Sequence, residues 1–99
     1  MAEVATIHVR VVSSEELVFE GEASSVVAPG WDGMVGILPN HAPMIALLGE
    51  GKLSVDRVGG GAEEYQVAGG VLKVDKNQVT ILPEKYSGID SASVSDSLV

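Results

Sequence analysis

Residues 5–12 read Ala-Thr-Ile-His-Val-Arg-Val-Val, which puts Ile7, Val9 and Val11 on one side of the chain and His8 and Arg10 on the other. A period of two belongs to a half-buried strand, and the chain returns to it repeatedly between turn signals. Ser13, Ser14, Glu15 and Glu16 make a polar turn, and residues 17–22 and 24–28 give two further short strands around Gly21. The turn formers Pro29, Gly30, Trp31, Asp32 and Gly33 precede a strand at 34–38; residues 39–43, Pro-Asn-His-Ala-Pro, break the pattern before the apolar run 44–48. Residues 52–58 alternate again, Gly59, Gly60 and Gly61 supply the positive φ angles of a hairpin loop, and 63–68 come back as its partner. Gly69 and Gly70 lead into 71–75, Lys76 and Asn77 turn tightly, and 78–82 end the series before Pro83. About nine short strands with turn signals every ~8–12 residues predict an all-β antiparallel sandwich or barrel. Residues 43–48 could also be helical, but the run is short.

Composition supports this. Of 99 residues, 45% are apolar and 16 are valine, a β-branched side chain that packs well on a pleated surface and is stiff in a helix. That length serves one hydrophobic core. The expected division is a sandwich over residues 1–86 and a short, Ser-rich, disordered tail over 87–99, where five serines and two aspartates accompany a few aliphatics.

Several functions are disfavoured. Six basic against fourteen acidic residues, a net charge of -8, do not make a phosphate-tracking groove, so nucleic acid is not an expected partner. No cysteine is present, which removes disulfides, thiolate metal sites and Cys nucleophiles. Met1, Ala2 and Glu3 open without a basic flank and long apolar run, so no secretory or mitochondrial signal is read, and no stretch approaches the ~18 apolar residues of a membrane span. His8 and His41 are the only imidazoles. His8 reads as part of a solvated strand face, and His41 as a loop hydrogen-bonder or a partner contact; neither spacing suggests a metal site. Gly49, Glu50, Gly51 and Lys52 lack the earlier Gly, the following Ser or Thr and the helix of a phosphate loop. Ser13, Ser14, Ser24 and Ser25 have no adjacent base, and the pairs Glu15/Glu16 and Glu63/Glu64 sit beside turns as solvated rims. No catalytic residue, cofactor or metal is expected.

The stretch 29–44, Pro-Gly-Trp-Asp-Gly-Met-Val-Gly-Ile-Leu-Pro-Asn-His-Ala-Pro-Met, is different: its residues fix backbone shape while presenting Trp31, Met34, His41 and Met44. Two readings of Trp31 stay open. It is either a lid folded back onto the core or part of an exposed docking surface, for which Trp and Met are favoured.

Here the sequence resembles the epsilon subunit of the F-type ATP synthase, called delta in mitochondria, in its N-terminal β-sandwich. The likeness runs in order through Phe19-Glu20-Gly21, Val27-Ala28-Pro29-Gly30, Asp32-Gly33-Met34-Val35-Gly36-Ile37-Leu38-Pro39, His41-Ala42-Pro43-Met44, Gly51-Lys52-Leu53, Gly69-Gly70-Val71 and Val79-Thr80-Ile81-Leu82, about residues 4 to 90. Asn40 stands where the family usually has Gly, a mild change because Asn tolerates left-handed backbone angles. The resemblance implies a sandwich of about ten strands and a non-catalytic rotor subunit in the central stalk. Such a subunit links the gamma subunit to the membrane c-ring and couples proton flow to ATP synthesis. Trp31, Asp32, Met34, Asn40 and His41 would then face the c-ring loops, and Ser13, Pro43 and Met44 the gamma subunit. The expected location is peripheral, on the cytoplasmic face of a bacterial inner membrane, with the thylakoid as the less favoured setting.

Family members generally continue into two helices that can inhibit ATP hydrolysis, and some bind ATP through Ile/Leu-Asp-x-x-Arg-Ala. Here Ile89 and Asp90 are kept, while Ser93 replaces the Arg and Val94 the Ala. With that Arg replaced and the sequence stopping at Val99, the expectation is that ATP binding and the helical inhibitory arm are both missing. The alternative from another class is a stand-alone β-sandwich module that binds a sugar or small acid with Trp31 and His41.

Overall fold

The computed structural model describes residues 5–14 and 16–89, and every regular element among them is a strand. The seven strands are β1 (Ile7–Ser13), β2 (Glu16–Gly30), β3 (Gly33–Ile37), β4 (Met44–Leu47), β5 (Glu50–Arg57), β6 (Ala62–Asp75) and β7 (Gln78–Ile89). Hydrogen-bonded neighbours follow the order β1-β7-β6-β5-β2-β3, with β1 also paired to β2 and β4 to β6. The path β1-β7-β6-β5-β2 therefore closes on itself as a flattened barrel, from which β3 and β4 project as edges. Every pair is antiparallel except β1–β7, which is parallel.

Three long strands carry the chain from one layer to the other. Beyond its pairing with β1, β2 pairs with β5 and then β3, and its register shifts between Ala23 and Ser25. At this corner the Ser25 hydroxyl donates to Asp56 Oδ2 at 3.0 Å. In β6 the bend is Gly69-Gly70, with φ of 74° and 121°. A Cβ on Gly70 would lie 2.1 Å from the Leu82 carbonyl oxygen, so only glycine lets β7 pass there.

These bends revise the strand count. By sequence Gly21, Gly69-Gly70 and Pro83 break short strands; the backbone continues through each, so 17–22 and 24–28 belong to β2, and 63–68 and 71–75 to β6. Pro83 pairs with Gly70 two residues beyond the last β1–β7 pair, Val11 with Ile81, where its missing N–H is tolerated. Residues 44–47 are strand, not helix. The turns fall as expected: Gly59, Gly60 and Gly61 have φ of 91°, 111° and 86°, and Lys76 and Asn77 have 51° and 61°. The last strand runs to Ile89, and the remaining tail, Ser93 and Val94 included, lies outside the described residues.

The alternating residues of each strand fill one core. Ile7, Val9 and Val11 of β1 meet Leu53 and Val55 of β5, Tyr65, Val67, Leu72 and Val74 of β6, and Val79 and Ile81 of β7. Burial and the adjoining Glu63 carboxylate raise the Tyr65 phenol above its ordinary pKa of 10.0. Among the described residues, no helix is long and apolar enough to cross a membrane.

Candidate protein-docking site

Because the inward residues of β1, β6 and β7 are the apolar ones, their alternates should be polar. On one layer they are not. Leu47 of β4 pairs with Val71 of β6, and Val71 with Leu82 of β7. Val12 is the next residue beyond the Val11–Ile81 pair and is itself paired with Leu17 of β2. The register thus lays Leu47, Val71, Leu82, Val12 and Leu17 in one row across five strands on the solvent side. Ile45 extends it along β4. Exposure of 72% for Ile45, 60% for Leu47 and 44% for Leu82 leaves an apolar stripe facing water, the kind of surface that marks an interaction site. The parallel rows beside it are polar: Glu20, Arg10, Thr80 and Lys73, then Glu22, His8, Gln78 and Asp75.

Sequence reasoning did not single out this stripe. Ile45 and Leu47 look like core in a run of apolar residues, and only the pairing of β4 with β6 turns them outwards. The available signal was Leu82, an apolar residue one step out of phase with Val79 and Ile81.

The expected site residues divide into groups. Trp31 and Asp32 form the turn between β2 and β3; Trp31 is 75% exposed, so it is no lid on the core. Its backbone N–H donates to the Leu47 carbonyl at 2.9 Å, which fixes the turn against the end of β4. Met34, paired with Pro29, points outwards from β3 and is 62% exposed. Asn40 and His41 follow β3 in the loop to β4. Asn40 has φ of 68°, the left-handed angle at which Asn substitutes for Gly, and its N–H donates to Asn77 Oδ1 at 2.6 Å. His41 Nδ1 lies 2.8 Å from the Ala42 carbonyl, a local loop hydrogen bond. Trp31 and His41 consequently flank opposite ends of a five-residue strand, ~15 Å long. They do not share a pocket, so the small-ligand reading loses its geometry. An open depression of about 410 Å³ is lined instead by Pro43, Met44, Ile45, Lys73, Val74 and Asp75. Pro43 and Met44 thus adjoin the apolar stripe, while Ser13 is buried at the end of β1, paired with Glu16 beside the Val12–Leu17 pair.

His8 lies on the outer, solvent-facing side of β1, where two glutamates of β2 hold it at 2.7 Å each. Among the described residues no group of three or more His, Asp or Glu side chains could hold a metal ion.

A closed barrel with an apolar outer row and shaped edge loops has the kind of surface that marks an interaction site. The chain belongs to the ATP synthase Delta/Epsilon chain β-sandwich domain family, whose profile matches residues 6–87. It is 48% identical over 80 residues to the ATP synthase epsilon chain of Bordetella avium (strain 197N), covering 81% of this chain and 57% of that protein. The ATP synthase epsilon chain of Delftia acidovorans is 46% identical over 79 residues, again 57% of its length. The chain thus spans little more than half the length of these relatives. In fold it resembles a chain of the Euglena gracilis mitochondrial ATP synthase, in an OSCP/F1/c-ring assembly, with a TM-score of 0.80 at 22% identity over 95% of this chain and 62% of that one. A chain of the Tetrahymena thermophila mitochondrial ATP synthase central stalk/c-ring gives a TM-score of 0.65 at 18% identity, over 87% and 69%.

Proposed function

We propose that this chain is a non-catalytic central-stalk subunit of an F-type ATP synthase that joins the gamma subunit to the c-ring and so couples proton flow to ATP synthesis. The observation that carries the proposal is the apolar row of Leu47, Val71, Leu82, Val12 and Leu17 on a domain of the epsilon family. A surface of that kind is stable when covered, and the gamma subunit is the cover that family membership supports. Pro43 and Met44 at its margin belong to the same contact, with Ser13 positioning the Val12–Leu17 end from beneath. The free edge of β3 and its two flanking loops then present Trp31, Asp32, Met34, Asn40 and His41 to the polar loops of the c-ring. The protein acts peripherally, on the cytoplasmic side of a bacterial membrane.

The chain and its cognate gamma subunit, mixed at micromolar concentration, are expected to co-elute in gel filtration. Separate elution of two folded proteins would refute the docking. For the ring contact, Met34→Glu and His41→Ala are expected to weaken assembly of the gamma-bound complex with the c-ring about tenfold or more. Both side chains lie outside the core, so the thermal midpoint of the isolated chain should change by only about 2 °C. Equal losses of midpoint and assembly would make these residues structural.

A further inference from the structure

His8 sits on the outer side of β1 with a glutamate of β2 at each ring nitrogen: Nε2 lies 2.7 Å from Glu20 Oε2, and Nδ1 2.7 Å from Glu22 Oε2. A neutral imidazole has a single N–H, so it can satisfy one carboxylate but must turn a lone pair towards the other; only the imidazolium donates to both. The remaining groups around it keep this arrangement in place. Just before β1, Thr6 donates its hydroxyl to Glu22 Oε1 at 2.7 Å, and on β1 Arg10 Nε lies 3.7 Å from Glu20 Oε2. On β7, the residues alongside His8 and Arg10 are uncharged, Gln78 and Thr80; Asp75 and Lys73 stand one strand further, on β6. The His8 backbone N–H donates to the Asn77 carbonyl at 2.8 Å, so its own strand is anchored independently of its side chain.

We propose that His8, Glu20 and Glu22 form a proton-operated clasp between β1 and β2, closed when the imidazole is charged and opened by loss of one proton. Glu20 first, then Glu22, hold the His8 pKa above its ordinary 6.5. His8, then Thr6, hold the Glu22 carboxyl below its ordinary 4.5. The signs follow. The histidine's contribution is complete below pH 6.5 and is lost as pH rises through its raised pKa; the glutamate's is complete above pH 4.5 and is lost as pH falls through its lowered one. The clasp is therefore fully closed between these values and opens on the alkaline side. Opening leaves Arg10 beside Glu20 and the Thr6 hydroxyl on Glu22 as their remaining partners, so the polar margin beside the Val12–Leu17 end of the outer row becomes more negative by one charge. The device belongs to the isolated domain and does not depend on the docking partner.

The test is a nuclear magnetic resonance titration of the two imidazoles in the intact chain, with His41→Gln used to assign them. The His8 midpoint should lie above 6.5, and Glu20→Gln and Glu22→Gln should each lower it. Warming the wild type at about pH 6 and about pH 8.5 should show a midpoint lower by about 3–6 °C at the higher pH, a difference that shrinks to a third or less in His8→Gln. A His8 midpoint at or below 6.5, one unmoved by both glutamate substitutions, or an undiminished temperature difference in a folded His8→Gln would overturn the clasp.

Discussion

Replacing Leu47 and Leu82 together by glutamate is expected to abolish capture of the gamma subunit while the domain stays folded. Both side chains already stand in water, at 60% and 44% exposure, so the change should cost the fold no more than about 1 kcal/mol. They flank Val71 in the outer row. A partner that covers them gains about 1.5–3 kcal/mol per leucine in apolar burial, and must instead desolvate two carboxylates in the variant. A loss of about 2 kcal/mol or more per central contact adds up to roughly a thousandfold weaker binding. Calorimetric titration with gamma measures that loss, and Gln66→Glu on the opposite layer serves as the control that should bind normally. If the double variant binds gamma as the wild type does, the row is not the docking face.

The second large effect is on folding. Gly70→Ala is expected to destabilise the domain by about 3–5 kcal/mol, combining a strained backbone with overpacking. The added methyl would stand 2.1 Å from the Leu82 oxygen and 2.7 Å from Pro83 Cα, both backbone neighbours that cannot rotate aside. At φ of 121° the residue would also be in a region that side chains avoid. For a chain of 99 residues this corresponds to a fall of roughly 20 °C in Tm. Gly36→Ala, in β3, where a Cβ meets nothing within 4 Å, should be nearly neutral by the same measurement. A Tm for Gly70→Ala within a few degrees of wild type would show that β6 can turn its corner differently.

The contrast between those two glycines indicates what sequence could and could not tell. Alternation in residues 7–11 and the turn chemistry of residues 59–61 and 76–77 are local properties, and the structure reproduces them because side-chain phase and positive φ are settled within a few residues. Gly69-Gly70 and Pro83 carry the same punctuation, yet their strands run on; whether a glycine ends a strand or bends it depends on what packs across the corner. Of the proposed docking surface, only the loops are legible in the sequence. Trp31 and Met34 stand out as large side chains among turn formers, whereas Ile45, Leu47, Val71 and Leu82 become one surface only when the β4–β6–β7 register brings them level. His8 was legible as an outward residue, but its two glutamates are 12 and 14 positions away on another strand.

The pairing of β1 with both β2 and β7 has a consequence for how the protein is made. Of the described strands β1 is made before the other six and acquires its second neighbour only when β7 has emerged, so the barrel cannot close while β2–β6 are being made. Until then β1 and β6 each have an unpaired edge, the feature through which partly made chains associate wrongly. Nascent chains stalled within β7 are therefore the ones that should most need chaperones.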